Sequence, residues 1–261
     1  MTIILRKFNF DYITDASLVL VIGEPSSGKS SAIKSLLYHK NIPSGLIISH
    51  KPQHKINKTY DYIPPIFIHN RYNDDIVKRY IHTQKKNIEL DNMDFDKRTF
   101  IILENVLYQD DEKNKYMSVL FKKYSILNML TVLEMEYIPH EITKPIKRMK
   151  QNVDYIFIFR DYVQLNRQKL FNLFKEQFGI EYSLFNKFID DYTDNYNFLI
   201  LDVKSPSKNI QDKLYWYKSA IYPNLRLCND EAWIYNNNNY VEESKETNEN
   251  YLQKIYSRQI Y

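Results

Sequence analysis

Cysteine is nearly absent from this chain: 261 residues carry one, Cys228, which excludes an internal disulfide and any zinc site built from several thiolates. No run approaches the roughly 18 apolar residues needed to cross a bilayer. The start, Met1-Thr2-Ile3-Ile4-Leu5-Arg6-Lys7, lacks a signal peptide's order of basic, apolar and small-residue regions. Both absences lead to the expectation of an intracellular protein that is not secreted. Charge of one sign is also lacking, since 36 basic against 32 acidic residues leave only +4, compatible with a polyanionic partner without requiring one. Glycine is scarce at 4 residues, so each glycine is informative.

What is present is a series of short apolar runs alternating with helical patterns, the mark of an α/β domain with a mostly parallel, buried central sheet flanked by helices. Strands are expected at 17–23, 45–50, 99–104, 128–136, 154–160 and 197–203, with a short extra one at 66–69 after Pro64-Pro65. Helices are expected at 30–39, 73–86, 111–124 and 162–177, and the basic stretch 144–150 falls in a helix or loop. Asp74 and Asp75 suit the N-terminal end of the second helix. Tyr215-Trp216-Tyr217 reads as an edge strand. No linker or repeat divides the chain, so residues 1–235 read as one domain and 236–261 as a polar, flexible tail.

Gly23-Glu24-Pro25-Ser26-Ser27-Gly28-Lys29-Ser30 fits G-x-x-x-x-G-K-[ST], entered by an apolar strand and left by a helix. Two of the four glycines occupy its two required positions. Such a loop, through Ser31, cradles phosphates with backbone N–H groups at a helix N-terminus. Lys29 then neutralises phosphate charge and the Ser30 hydroxyl ligates Mg²⁺. A Gly/Ser turn that only caps a helix is the competing reading, and strand, spacing and helix together favour the phosphate site. ATP is preferred to GTP because no guanine-reading N-K-x-D sequence is found. The partner acid is Glu104, delivered by Phe100-Ile101-Ile102-Leu103 to the carboxyl end of a buried strand, where ligands of open α/β sheets bind.

Beyond the loop, a series of motifs runs in order: Tyr62–Ile68 with Tyr72-Asn73-Asp74, Ile102–Tyr108, Met135-Glu136-Tyr137, Asn152–Arg160, Asn166-Arg167 and Gln211–Ser219. With these the chain resembles the packaging ATPases of nucleocytoplasmic large DNA viruses, the poxvirus and mimivirus type within the FtsK–HerA superfamily. The resemblance spans about Phe8 to Trp233. It implies a RecA-like P-loop core of the additional-strand type and hydrolysis of ATP with Mg²⁺. It also implies a homo-oligomeric ring that translocates double-stranded DNA into a capsid, with capsid or portal proteins as partners, in the virion or host cytoplasm.

The chain departs from that pattern in the hydrolytic parts. Where the resemblance implies two aspartates stand Glu104 and Asn105, and asparagine cannot accept a proton. The implied γ-phosphate-sensing glutamine is Glu136, and the implied finger arginine is Ser125, near Lys122 and Lys123. Either Glu136, or Glu134 on the same strand face, has become the base, or hydrolysis has decayed and the chain is an ATP-binding structural or regulatory homologue. A small-molecule kinase is disfavoured because no arginine-rich lid is evident. Arg160, Arg167 and the Lys144–Lys150 cluster read first as solvated charge, and phosphate contact is the second reading of each. Cys228 reads as packing.

Overall fold

A computed structural model of the chain describes residues 3–90, 96–107 and 115–241. In chain order the elements are β1 (Arg6–Lys7), β2 (Leu18–Ile22), α1 (Lys29–Lys40), β3 (Gly45–Ser49), α2 (Gln53–Thr59), β4 (Ile68–His69) and α3 (Asp74–Glu89). There follow β5 (Thr99–Glu104), α4 (Lys115–Lys123), β6 (Met129–Met135), α5 (Lys144–Asn152) and β7 (Tyr155–Ile158). Last come α6 (Gln164–Leu173), α7 (Lys175–Phe178), α8 (Tyr182–Tyr192), β8 (Asn197–Asp202), β9 (Leu214–Lys218) and α9 (Asp230–Asn239).

Among the described residues nine strands form one sheet, ordered β1-β9-β8-β7-β2-β6-β5-β3-β4. Of these only β8 runs against the rest, pairing antiparallel with β7 and with β9. Every residue of β2, β3, β5 and β6 is buried, as expected where helices cover both faces and the strands are continuous apolar runs rather than alternating ones. One core lies under α3, α4, α5, α6 and α8. The other lies under α1, α2 and the segment from Phe8 to Ile13. The central order places β6 between the loop-bearing β2 and the acid-bearing β5. That interposed strand is the additional-strand arrangement the resemblance implies.

Several local expectations shift. The helix expected at 162–177 begins at Gln164 and breaks at Phe174 (φ −119°), leaving α6 and α7, and Leu165 lies exposed instead of on the apolar face. α2 and α8 were not anticipated: the first is short and polar, while the second, with Phe185, Phe188 and Ile189 buried, simply has its apolar stripe at helical spacing. The Tyr215–Tyr217 strand is not at the edge, because Arg6–Lys7 pairs alongside it. Asn236–Asn239, read as the start of the tail, is the last turn of α9, and the Asn236 side chain accepts a hydrogen bond from the Ile66 amide at 3.0 Å. Residues 242–261, Tyr108 and the first turn expected at 111–114 lie outside the described residues.

Candidate functional site

The site forms where β2, β5 and β6 end. On the α1 side of the sheet the apolar row Val19, Val132, Ile102 and Ile47 belongs to one core. Side chains repeat every second residue along a strand, so the next row on that face is Val21, Glu134, Glu104 and Ser49, with Gly23 two residues beyond Val21. Parallel register sets these residues side by side: Glu104 pairs with Ser49 on one flank and Glu134 on the other, and Val21 pairs with Glu134. Two buried carboxylates thus meet under the start of α1, whose first residue is Lys29.

The loop is held by close packing. Gly23 has φ +155°, and a Cβ built on it would lie 2.5 Å from the Phe159 Cβ; Gly28 has φ +106° and directly precedes α1. Gly23→Ala is expected to cost about 1–3 kcal/mol through overpacking and to distort the loop. A lower denaturant midpoint with weakened nucleotide binding is the outcome to measure.

Lys29 is 5% exposed, and its ammonium donates to the carbonyls of Gly23 (2.8 Å) and Glu24 (2.9 Å) with Glu134 Oε1 at 3.7 Å. Burial lowers its pKa, opposed by the carboxylates of Glu134, Glu136 and Glu104. Glu134 is pushed up to about 8 by burial and by the neighbouring Glu104 charge. Lys51, not singled out in the sequence, ends the turn after β3 and pairs with the fully buried Glu104 carboxylate. Burial works against its charge, but the Glu104 contact prevails and holds the ammonium above its usual range. Nothing in the sequence signalled Lys51, because its value comes from the β3–β5 pairing.

Glu136, one of the two candidate bases, lies just past β6 and accepts a hydrogen bond from Asn105 Nδ2 at 3.2 Å. Asn105 sits at φ +54°, with its amide bonded to the Glu134 carbonyl at 2.9 Å. The structure therefore brings Lys29, Glu104 and Glu134 together in one buried cluster and places Glu136 at its rim through Asn105. Four buried atoms here lack a hydrogen-bond partner among the described residues: Ser27 Oγ, Glu104 Oε2, Glu134 Oε2 and Asn105 Oδ1. Buried polar atoms are ordinarily satisfied, so such a cluster at the mouth of an anion loop suits a polar ligand and a cation.

The DNA-packaging ATPase of Sulfolobus turreted icosahedral virus superimposes with a TM-score of 0.55 at 14% identity, covering 80% of this chain and 100% of that one. The genome packaging NTPase of Sulfolobus turreted icosahedral virus 2, in complex with ATP-γS, gives 0.51 at 14% identity with the same coverage. The fold is that of a P-loop NTPase. No family model matches the chain. Sequence relatives are viral: an uncharacterised protein of Invertebrate iridescent virus 6 is 27% identical over 94% of this chain and 92% of its own length. One of Acanthamoeba polyphaga mimivirus is 25% identical over 82% and 77% respectively.

Around the P-loop the remaining candidates separate. Arg167, read as solvated charge, is instead 3% exposed: it donates to Asn186 Oδ1 (2.7 Å), Asp190 Oδ1 (2.8 Å) and the Asp161 carbonyl, joining α6 to α8. Arg160 flanks the P-loop, with its carbonyl accepting from the Glu24 amide. Lys144, Lys147 and Arg148 are exposed on α5. Cys228 packs against the second core, where burial pushes its thiol up to about 12. Among the described residues no helix is long and apolar enough to cross a membrane.

Proposed function

We propose that the chain binds ATP with Mg²⁺ at Gly23–Ser31 and hydrolyses it to drive double-stranded DNA into a viral capsid, working as a homo-oligomeric ring. The observation carrying this reading is the Lys29–Glu104–Glu134 cluster, buried directly beneath a glycine-bracketed loop at the carboxyl ends of adjoining strands. Solved neighbours named as viral packaging enzymes, together with viral relatives, support the choice of cargo.

The loop amides and Lys29 take the phosphates, and burial of Lys29 strengthens its hold because less water competes for the charge. Ser30, the second residue of α1, and Glu104, with its bare Oε2, are the residues that fit Mg²⁺. When bound, the ion neutralises charge building on the transferred phosphoryl group. Lys51 pairs with the other oxygen of Glu104, Oε1, and leaves Oε2 for the ion. Asn105 cannot take a proton, but by donating to Glu136 it aims that carboxylate, which serves as the base for the attacking water. Capsid or portal proteins are the expected partners of the ring.

The same Asn105 supports a second reading, in which hydrolysis has decayed and the chain is a nucleotide-binding structural or regulatory subunit. Phosphate release measured with and without double-stranded DNA separates the two. DNA-stimulated turnover is expected; tight ATP binding without turnover would favour the second reading, and phosphorylation of a small acceptor would favour a kinase. Lys29→Ala is expected to weaken ATP binding about ten- to a hundredfold, in line with loss of a charge-assisted contact to phosphate, and isothermal calorimetry reads that change.

A further inference from the structure

β2 has two flanks. On one lie β6 and β5 with the acid cluster; on the other lie β7 and β8. A nucleotide whose terminal phosphate faces Glu104 therefore runs its sugar and base toward the β7–β8 side. The turn that enters β8 holds Tyr196 there. A Cβ built on Gly28 would lie 3.3 Å from Tyr196 Cδ1 and 3.7 Å from Tyr196 Cβ, so the ring rests against the last glycine of the P-loop, immediately before Lys29.

We propose that Tyr196 is the platform on which the base of a purine nucleotide stacks. This rests on the P-loop reading given under Proposed function. Tyr196 is 67% exposed although it is a large ring, and its backbone is left-handed (φ +63°), as is that of Asn195 (φ +53°). Asparagine tolerates that region, but an aromatic residue there is uncommon, and strained residues that persist tend to gather at ligand clamps. Burial of the ring does not account for the strain, since most of it faces solvent.

The turn is fixed in place by its neighbours. The Asn197 amide donates to the Asp194 carbonyl at 3.0 Å, and Asp194 forms an ion pair with Arg160. The Arg160 guanidinium lies 4.6 Å from the centroid of the Tyr162 ring, and the Tyr162 amide donates to Glu24 Oε2 at 3.4 Å. The Asp194–Tyr196 turn is thereby tied back to the loop itself. A stacking platform accepts any π-face, so Tyr196 itself does not discriminate ATP from GTP.

The test compares ATP with inorganic tripolyphosphate, which offers the P-loop the same phosphates and no base, on the full chain by calorimetry. Tyr196→Ala is expected to weaken ATP about five- to a hundredfold, the range for loss of one base–aromatic stack, and to leave tripolyphosphate unchanged. Tyr196→Trp is expected to retain ATP affinity, with added fluorescence over wild type that ATP quenches and tripolyphosphate does not. Unchanged ATP affinity in Tyr196→Ala would overturn the proposal. So would an equal loss for both probes, which would make Tyr196 a support of the loop. Failure of both probes to bind the wild-type chain would instead remove the P-loop reading itself, and the platform with it.

Discussion

Glu136→Gln is expected to lower ATP turnover by about two to four powers of ten, the range for loss of a positioned general base, with the affinity for Mg²⁺-ATP held within about threefold. Glutamine keeps the acceptor that Asn105 Nδ2 donates to and loses only the ability to take a proton. Single-turnover hydrolysis and equilibrium binding on the same preparation separate the two effects. The companion variant is Asn105→Asp combined with Glu136→Gln, which reinstates the acid–amide order that the family resemblance implies. If wild type is inactive and the double variant turns over, hydrolysis has decayed in this chain and Glu136 is not its base. If wild type is active and Glu136→Gln retains full turnover, the base lies elsewhere, with Glu134 the next candidate.

The second large effect is on stability. Glu134 in the nucleotide-free chain holds its proton up to about pH 8, because burial and the adjacent Glu104 oppose its ionisation. An unfolded glutamate releases that proton near 4.3. Between those values the folded chain binds more protons than the unfolded one, so stability falls as pH rises through the window and levels off above it. At about 1.4 kcal/mol per pH unit, with the attraction of Lys29 and Lys51 already contained in the Glu134 value, the loss between pH 5 and 8 is on the order of 2–4 kcal/mol. In a chain of this size that is about 4–16 °C in Tm. Glu134→Gln substitutes a permanently neutral isostere, so its Tm should decline much less across the same range in metal-free buffer. Equal slopes in the two proteins would mean that Glu134 is ionised when folded.

Lys51 and Glu134 share one reason for their weak sequence signals. Lys29 and Ser30 are legible because the loop is contiguous: glycines, lysine and hydroxyl lie within eight residues, and the preceding apolar run and following helix come with them. Glu104 is legible because an apolar run delivers it to a strand end. Glu134 sits inside the run Met129–Met135, where an acid interrupts a core strand. It makes sense only once β6 is inserted between β2 and β5 and sets it against Glu104. Lys51 follows the same logic through β3. Arg167 misleads in the opposite direction, since a lone arginine on a helix gives no sign that Asp161, Asn186 and Asp190 will enclose it.

The fold class, the strands of the central sheet and the glycine-bracketed loop between β2 and α1 were legible in the chain alone, because all three rest on local periodicity and contiguous motifs. The tertiary structure alone decided which acids meet, which lysine counters them, and which tyrosine stands beside Gly28. Those are contacts between strands and turns far apart in the chain, set by parallel register and strand order, and no local pattern encodes either.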